Sequence, residues 1–381
     1  MDTISLVRKL VQIDSTNPGN GESQMEEFII NYLKDTNVSI QSYEVESRRN
    51  NIIAAIPGKH NNPRLILMCH MDTVVGGDGW TKHPFSGEIV DNKIYGRGAC
   101  DMKAGLACAM NIFKETALKA KEGETHLKCP LQLICTVDEE GDMKGADSLV
   151  EKGLISEEDW ILDLEPTNGE IQMAHRGRFW IELTVKGVTA HAGKPEEGVD
   201  AVAGAAEMIR YIRRSVNKMP RNKELGRTTV TFGQIQGGYQ PYVVPDHCKV
   251  WMDFRLAPPA TREEVLELLE EACIYGKMFV PGLQMEYKIT GDRPFVETNP
   301  ESGLLQTLQR AVKEVTGEWK EPTVFPGYTD TAVIAGKTGN GNCISYGPGN
   351  LKYAHKPDEF VEIKDILRCE EVLRRLVEYN L

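Results

Sequence analysis

The first half of the chain alternates between two hydrophobic patterns. One is the helical spacing of apolar residues, and the other is a short, continuous apolar run of the kind found in buried parallel strands. Helical spacing predicts helices at residues 3–13, 22–35 and about 103–120. Apolar runs predict strands at residues 52–56, 65–69, 131–137 and 160–164, with a hairpin over 87–95. This alternation predicts an α/β fold in which helices flank a mixed central sheet.

The middle of the chain changes character, because apolar and polar residues alternate one by one from 179 to 186. Such alternation is typical of a strand with one covered face and one wet face. The patterns that follow predict a helix, two strands, a helix and a strand at residues 200–215, 228–235, 243–255, 262–275 and 283–289. The order β-α-β-β-α-β is that of a ferredoxin-like α+β unit.

The last part of the chain returns to α/β patterning, with predicted helices near 301–316 and 362–378 and a strand at 342–346. The length of 381 residues is sufficient for two or three domains. We therefore expect one catalytic α/β domain, at residues 1–177 and 292–381, interrupted by a smaller lid or dimerisation domain at residues 178–291.

Charge and composition narrow the function classes. The chain has 44 Lys and Arg against 56 Asp and Glu, a net charge of −12, which disfavours a grip on nucleic-acid phosphates. No apolar stretch approaches the roughly 18 residues that a membrane-spanning helix needs. The nine cysteines are odd in number and mostly lie in apolar runs, as expected of reduced core thiols. The N-terminus lacks the pattern of a signal peptide, so we expect a cytoplasmic protein.

Polar residues stand where the apolar runs end, which is the usual place for a site in α/β proteins. Residues 65–73 read Leu-Ile-Leu-Met-Cys-His-Met-Asp-Thr, and the spacing puts His70 and Asp72 on the same side of an extended segment. Asp72 would then orient the imidazole of His70 towards a metal ion. The alternative is an exposed strand end with no function.

Two further clusters each allow two interpretations. Asp101 lies on a glycine-bounded turn before the helix at 103–120. It is either a metal ligand or the cap of that helix. Glu139 and Glu140 end an apolar run, either in a solvated turn or in a metal site. In a metal site, one of these neighbours can hold the ion while the other moves protons.

The remaining clusters contain Asp163 and Glu165, after the run at 160–164, and His355, after a Gly-Pro-Gly loop. Together the clusters provide two imidazoles and three carboxylates as possible ligands, with Glu139 as an additional carboxylate. Nitrogen and oxygen ligands without a thiolate suit two borderline metal ions that share a bridging carboxylate. Two such ions would generate hydroxide and polarise a carbonyl group.

Six short motifs, in order over nearly the whole chain, resemble one known family. They are His70-Met-Asp72, Gly96-Arg-Gly-Ala-Cys-Asp101-Met-Lys-Ala-Gly, Asp138-Glu139-Glu140-Gly, Glu165-Pro-Thr, Ala190-His191-Ala-Gly-Lys-Pro and Ala354-His355-Lys-Pro-Asp-Glu. The family is that of the acetylornithine deacetylases, succinyl-diaminopimelate desuccinylases and carboxypeptidase G, which are dizinc hydrolases. The resemblance implies that His70 and Glu165 bind one metal ion, that His355 and Glu140 bind the other, and that Asp101 bridges both.

The resemblance also implies the roles of the neighbouring carboxylates. Asp72 would support His70, and Glu139 would be the general base and acid. Asp163 competes with Glu165 for the ligand role, and the Glu-Pro-Thr context favours Glu165. In the family, a Glu at this position goes with deacylases and carboxypeptidases, and an Asp goes with aminopeptidases.

Within the predicted lid, His191 matches a histidine that reaches the active site of the partner subunit, and Arg255 matches an arginine that grips the substrate carboxylate. The alternatives are a loop histidine without a role and an arginine paired with Asp253 or Asp246. Tyr242 stands where many relatives have a substrate-contacting Asn, which implies a reshaped pocket. Substrate contacts are also expected at Thr329, which follows an unexpectedly bulky Tyr328, and at Gly349.

These features predict an amide hydrolase with two divalent metal ions, with zinc expected and cobalt or manganese as alternatives. The leading hypothesis is a deacylase of N-acyl amino acids, acting as a homodimer through the lid. The first alternative is a dipeptidase or carboxypeptidase of the same family. The second is a non-catalytic binding protein, which the complete ligand set disfavours.

Overall fold

The computed structural model describes residues 1–19 and 21–380. Positions 20 and 381, which the predicted catalytic domain includes, lie outside the described residues. Several helices begin at a side chain that accepts a hydrogen bond from the first turn, among them Asp2, Asp200 and Ser302. The helices are α1 (Thr3–Val11), α2 (Glu22–Leu33), α3 (Ala104–Lys121), α4 (Lys144–Glu151), α5 (Ala201–Val216), α6 (Arg262–Phe279), α7 (Gly303–Thr316), α8 (Asp330–Thr338) and α9 (Ile363–Glu378).

The strands include each apolar run found in the sequence, together with the eight-residue strand Ser39–Glu46 and several short strands that the hydrophobic pattern does not predict. The strands are β1 (Ser39–Glu46), β2 (Arg49–Ile56), β3 (Leu65–His70), β4 (Glu88–Val90), β5 (Lys93–Tyr95), β6 (Leu131–Thr136), β7 (Trp160–Asp163), β8 (Gln172–His175), β9 (Gly177–Lys186), β10 (Arg221–Asn222), β11 (Gly226–Arg227), β12 (Thr229–Gly237), β13 (His247–Leu256), β14 (Gln284–Arg293), β15 (Thr323–Phe325), β16 (Cys343–Ser345) and β17 (Phe360–Glu362). The predicted hairpin is formed by β4 and β5, which pair antiparallel.

The chain divides into two compact units. The first unit comprises Met1–Met173, Thr298–Phe325 and Thr329–Leu381, and the second comprises Ala174–Glu297 and Pro326–Tyr328. The domain limits inferred from the sequence, and the role of the middle segment as a lid, stay predictions.

The first unit is built on an eight-stranded mixed sheet with the strand order β1-β2-β6-β3-β7-β16-β8-β15. The central strand β3 lies parallel to both β6 and β7, and β16 lies parallel to β7. Every residue of β3 is buried, which explains its continuous apolar run. Because these four strands point the same way, their carboxyl ends meet at one edge of the sheet.

The second unit contains a four-stranded antiparallel sheet with the order β12-β13-β9-β14. Buried and half-buried residues alternate along β9 and β13, and the buried set packs with α5 and α6 in a core of its own. The order β-α-β-β-α-β is therefore present in the structure. Strand β13 begins at His247 rather than at 243, because Pro245 has no N–H group to donate to a neighbouring strand.

The predicted fold class, a mixed α/β sheet flanked by helices, is confirmed. Within residues 1–19 and 21–380, no helix combines the length and the apolar character that crossing a membrane requires.

Candidate metal centre

The carboxyl ends of the parallel strands bring the predicted ligands together. His70 is the last residue of β3, the pair Glu139 and Glu140 follows β6, and Glu165 follows β7. Ligand atoms of His70, Glu139 and Glu165 lie within 4.8 Å of one another, as do those of His70, Asp101 and Glu140. The side chains of Glu139 and Glu140 are buried, so the alternative of a solvated turn is wrong.

Asp101 lies between the two histidines. One oxygen of its carboxylate, Oδ1, is 3.2 Å from Nε2 of His70, and the other, Oδ2, is 3.4 Å from Nε2 of His355. The backbone at Asp101 leaves the helical region, with φ −122° and ψ 98°, just before α3. Helix α3 follows Lys103 and has no side-chain cap, so the interpretation of Asp101 as a helix cap is wrong.

The cluster has two halves that share Asp101. On the Oδ1 side, Nε2 of His70 is 3.7 Å from Oε1 of Glu165. On the Oδ2 side, Nε2 of His355 is 2.9 Å from Oε2 of Glu140. The family resemblance implies the same two ligand sets, although ligand atoms of Glu140 and His70 also lie within 4.8 Å of one another, and the assignment stays a prediction. The two halves differ in exposure, because the side chain of His70 is 1% exposed and that of His355 is 49% exposed.

Asp72 connects His70 to the loop that carries Glu139 and Glu140. The Nδ1 atom of His70 lies 2.9 Å from the backbone carbonyl oxygen of Asp72 and 3.6 Å from its carboxylate. The carboxylate itself accepts hydrogen bonds from the backbone N–H groups of Glu139 and Glu140, each at 3.2 Å. Asp72 therefore supports His70 chiefly through the main chain and positions the Glu139–Glu140 loop through its side chain.

Asn17, to which the sequence patterns assign no role, holds this arrangement from the N-terminal loop. Its side-chain amide donates to Oδ2 of Asp72 at 2.8 Å and to Oδ1 of Asp138 at 3.1 Å. Burial raises the pKa of Asp72, but the nearby imidazole of His70 and hydrogen bonds that include the one from Asn17 outweigh burial and hold the pKa below its ordinary value. Asn17 thus helps to keep a buried carboxylate charged.

We expect Asn17→Ala to lower the free energy of unfolding by about 1–3 kcal/mol, because two carboxylate oxygens lose a donor. Turnover should fall about tenfold, as is usual when a residue that supports a metal ligand is lost. Chemical denaturation and steady-state kinetics measure the two effects. Asn50→Ala is the matched control, since Asn50 also donates to a carboxylate, Glu26, outside this cluster. Wild-type turnover of the Asn17 variant would contradict the positioning role.

The residues of the cluster fit divalent cations. Oε1 of Glu165 is buried and has no hydrogen-bond partner. Burial raises the pKa of Glu165 and of Glu139, and hydrogen bonds to Asp101 and Glu140 raise the pKa of His355 to about 10. A cluster that binds protons this readily is short of positive charge, which metal ions supply. Imidazole nitrogens and carboxylate oxygens are suitable ligands for them.

Asp163, the alternative to Glu165 as a metal ligand, makes its hydrogen bond outside the cluster. Its carboxylate accepts a hydrogen bond from the hydroxyl of Thr331 at 3.4 Å, and burial raises its pKa to about 7. Both groups of ligand atoms within 4.8 Å contain His70, and Glu165 belongs to one of them whereas Asp163 belongs to neither. His355 also lies outside both groups, but its Nε2 is 2.9 Å from Glu140 and 3.4 Å from Asp101. The geometry therefore favours Glu165 for the ligand position.

Three predicted functional residues lie in the second unit. His191 is exposed, and its Nδ1 accepts a hydrogen bond from the backbone N–H of Gly193 at 3.0 Å. Tyr242 is 58% exposed. The guanidinium of Arg255 pairs with Asp253 at 2.9 Å, which is one of the partners that the sequence allows.

The remaining two predicted substrate contacts lie in the first unit. The hydroxyl of Thr329 is buried and caps α8, and it also hydrogen-bonds Thr331 at 2.7 Å. Gly349 has a positive φ of 85°, and a Cβ atom there would lie 2.8 Å from Sγ of Cys100. A glycine is therefore needed at this point of the loop before His355. The substrate contacts of both residues stay predictions.

The match to a protein-family model decides the family. Residues 66–379 match the model of peptidase family M20/M25/M40. The chain belongs to this family. The M20 match spans all the predicted metal ligands, and the resemblance inferred from six short motifs is confirmed.

Individual relatives agree with this assignment. The acetylornithine deacetylase of Myxococcus xanthus is 29% identical over 334 residues, which cover 86% of this chain and 83% of the relative. Aminopeptidase PepT from Bacillus cereus superposes with a TM-score of 0.79 at 23% identity, over 99% of this chain and 97% of PepT. A dinuclear metal-binding M20 peptidase from Bacillus subtilis superposes with a TM-score of 0.72 at 19% identity, over 98% of this chain and 96% of its own.

This M20 protein is a metal-dependent amide hydrolase. The family and the buried cluster of histidines and carboxylates together support two metal ions in the first unit. The sequence-based predictions of a hydrolase, of metal dependence and of an amide substrate are confirmed.

Proposed function

We propose that this protein is a dizinc deacylase that removes the acyl group from an N-acyl amino acid. The observation that carries the proposal is Glu165, rather than Asp163, at the His70 side of the cluster. A glutamate at this position resembles the deacylases and carboxypeptidases of the family rather than its aminopeptidases. Two relatives that are named acetylornithine deacetylases, and that this chain matches over most of their length, add to this support.

The proposed ligands follow from the two halves of the cluster. His70 and Glu165 would hold one ion, and His355 and Glu140 would hold the other. Asp101 would be a ligand of both ions. When bound, a pair of divalent ions polarises a carbonyl group and lowers the pKa of water. Zinc suits this set of nitrogen and oxygen ligands. Activity of chelator-stripped protein, restored separately with zinc, cobalt and manganese, tests the choice of metal.

Glu139 would move the proton in the proposed reaction. Its carboxylate lies within 4.8 Å of ligand atoms of His70 and Glu165, and burial raises its pKa, as suits a group that must bind and release a proton. In the proposed step, Glu139 takes a proton from the attacking water as the O–C bond forms. It then delivers that proton to the leaving nitrogen as the C–N bond breaks, which yields the amine and the carboxylic acid.

Arg255 would recognise the substrate. Its planar guanidinium suits bidentate binding of a carboxylate, which every N-acyl amino acid carries. In the free protein, this guanidinium pairs with Asp253, and about a quarter of the Arg255 side chain is exposed, at 26%. The proposed substrate carboxylate would compete with Asp253 for these donors.

A substrate comparison tests the proposed function. Metal-replete protein is assayed for initial rates on N-acetylornithine, other N-acetyl amino acids, N-succinyl amino acids and dipeptides. We expect kcat/KM to be highest for an N-acyl amino acid. Turnover of dipeptides alone would refute the deacylase and favour the alternative, a dipeptidase or carboxypeptidase.

We further propose a homodimer in which His191 acts in the site of the partner subunit. His191 is exposed, and because its Nδ1 accepts a hydrogen bond from the N–H of Gly193, its Nε2 is the ring atom left to donate a hydrogen bond. Helix α6 exposes Ile274, Met278 and Phe279 at 65%, 73% and 54%, an apolar surface that a second copy would cover.

We expect His191→Ala to lower turnover by about 10²–10³-fold, as the loss of a transition-state donor does. Mixing this variant with Glu139→Ala chains should restore part of the activity, because one site of each mixed dimer then has both groups. The control mixes His191→Ala chains with chains that carry both His191→Ala and Glu139→Ala, and this mixture should restore no activity. Equal activities of the two mixtures would contradict the role of His191 across subunits.

A further inference from the structure

Glu359 is a buried carboxylate next to the metal centre that the mechanism does not use. It lies four positions after His355 and is 1% exposed. Its Oε1 atom accepts hydrogen bonds from the backbone N–H groups of Cys100 at 2.9 Å and Asp101 at 3.1 Å. Its backbone carbonyl also accepts from the N–H of Gly96 at 2.9 Å. Glu359 therefore binds directly the residue that carries the bridging carboxylate.

Arg97 holds the other oxygen of Glu359. The two side chains form an ion pair and are 3% and 0% exposed. The guanidinium of Arg97 also donates to the carbonyl oxygens of Val75 and Gly76, each at 3.1 Å, and lies 5.2 Å from the ring of Trp80. A buried guanidinium with this many fixed acceptors has a single orientation, and it fixes the orientation of Glu359.

The pair connects three loops that carry the metal centre. Val75 and Gly76 follow Asp72, Arg97 precedes Asp101, and Glu359 follows His355. The pair therefore sets the spacing between the bridging carboxylate and the ligands on either side of it. The Oδ2 side depends on it most, because the half-exposed His355 has less packing around it than the buried His70.

We propose that Glu359 and Arg97 are positioning residues that set the affinity of the His355 side of the metal centre. The inference rests on the proposed two-metal function. An ion pair that served only to stabilise the fold would change the thermal stability of the protein but not its affinity for metal ions. Neither side chain is offered as a ligand or as a group that touches substrate.

A second ion pair in the same unit, with a buried carboxylate and a partly exposed guanidinium, provides a control. Arg64 binds the fully buried carboxylate of Asp159 through Nε at 2.8 Å, and that carboxylate also accepts from the N–H of Ser156 at 2.7 Å. Asp159 precedes β7 and so lies at the opposite end of that strand from Glu165. Asp159→Asn removes the same kind of ion pair without reaching the ligand loops.

The test measures zinc binding to chelator-stripped protein by competition with a chromophoric chelator, for the wild type, Glu359→Gln, Arg97→Lys and Asp159→Asn. Glu359→Gln keeps an oxygen for the two N–H groups but loses the charge that Arg97 binds. Arg97→Lys keeps the charge but loses the planar fork, and it decides the question should Glu359→Gln fail to fold. Thermal denaturation of each variant records the structural cost separately.

We expect the wild type and Asp159→Asn to bind two zinc ions with equal affinities. Glu359→Gln and Arg97→Lys should bind one ion as the wild type does and the second about 10–100-fold more weakly. At limiting zinc their kcat should fall while KM stays unchanged, and excess zinc should restore kcat.

Two results would overturn the inference alone. One is wild-type affinity for both ions in Glu359→Gln and Arg97→Lys, with a loss of thermal stability like that of Asp159→Asn. The other is an equal weakening of both ions. A wild-type protein that binds no zinc would instead overturn the proposed zinc centre, and the inference with it.

Discussion

Glu139→Gln should lower kcat by about 10²–10⁴-fold while two metal ions stay bound and KM changes little. Glutamine fills the same space but neither takes a proton from water nor delivers one to a leaving amine. The N–H of Glu139 is held by Asp72, so the loop should keep its position in the variant. Steady-state kinetics on the best N-acyl amino acid, together with metal analysis of the same sample, measures the effect.

Asp142→Asn is the control for this experiment, because Asp142 is an exposed carboxylate on the same loop. It should leave kcat unchanged. If Glu139→Gln kept wild-type kcat, the assignment of the general base would be wrong. If it lost kcat together with one metal ion, Glu139 would be a ligand rather than the base.

Asp101→Asn should have the largest effect on metal binding. The two oxygens of Asp101 face different histidines, at 3.2 and 3.4 Å, and an amide replaces one of these oxygens by a donor. We expect the second ion to be lost and kcat to fall by about 10³-fold or more, since a metal ion stabilises the transition state by several kcal/mol. Elemental analysis of dialysed protein and kinetics in excess zinc test this expectation.

Asp163→Asn provides the matched comparison for Asp101→Asn. Asp163 is also fully buried at the end of β7, but it lies outside both groups of ligand atoms. The variant should keep two ions per chain. Loss of an ion from Asp163→Asn, with two ions retained in Asp101→Asn, would show that the ligand set is wrong.

The sequence predicts those site residues that directly follow a buried strand. Buried parallel strands appear as apolar runs whose ends are the usual place for a site, so the pattern indicates the clusters with His70, Glu139–Glu140 and Asp163–Glu165. The convergence of these clusters, and the choice of Glu140 and Glu165 as ligands, follow from the family resemblance. His355 and the bridging position of Asp101 do not follow from that pattern. They came from the resemblance to a family, because no spacing rule relates residues that are more than 200 positions apart.

The parts that could not be predicted depend on contacts between distant segments. Asn17 lies in a polar loop whose composition is like that of any surface loop, and Glu359 ends the last of the six motifs without an assigned role. Only the fold shows that they bind Asp72 and Asp101. Helix α6 continues past Gly276 to Phe279. A Cβ atom at Gly276 would lie 3.1 Å from Met208, so this glycine allows close packing between helices rather than ending one.

The most direct test of the two-metal centre is anomalous diffraction from crystals of the zinc-replete protein, measured at the zinc edge. We expect two peaks about 3.5–4 Å apart. One should lie next to His70 and Glu165, the other next to His355 and Glu140, with an oxygen of Asp101 at each. A single peak, or two peaks that Asp101 does not join, would contradict the account.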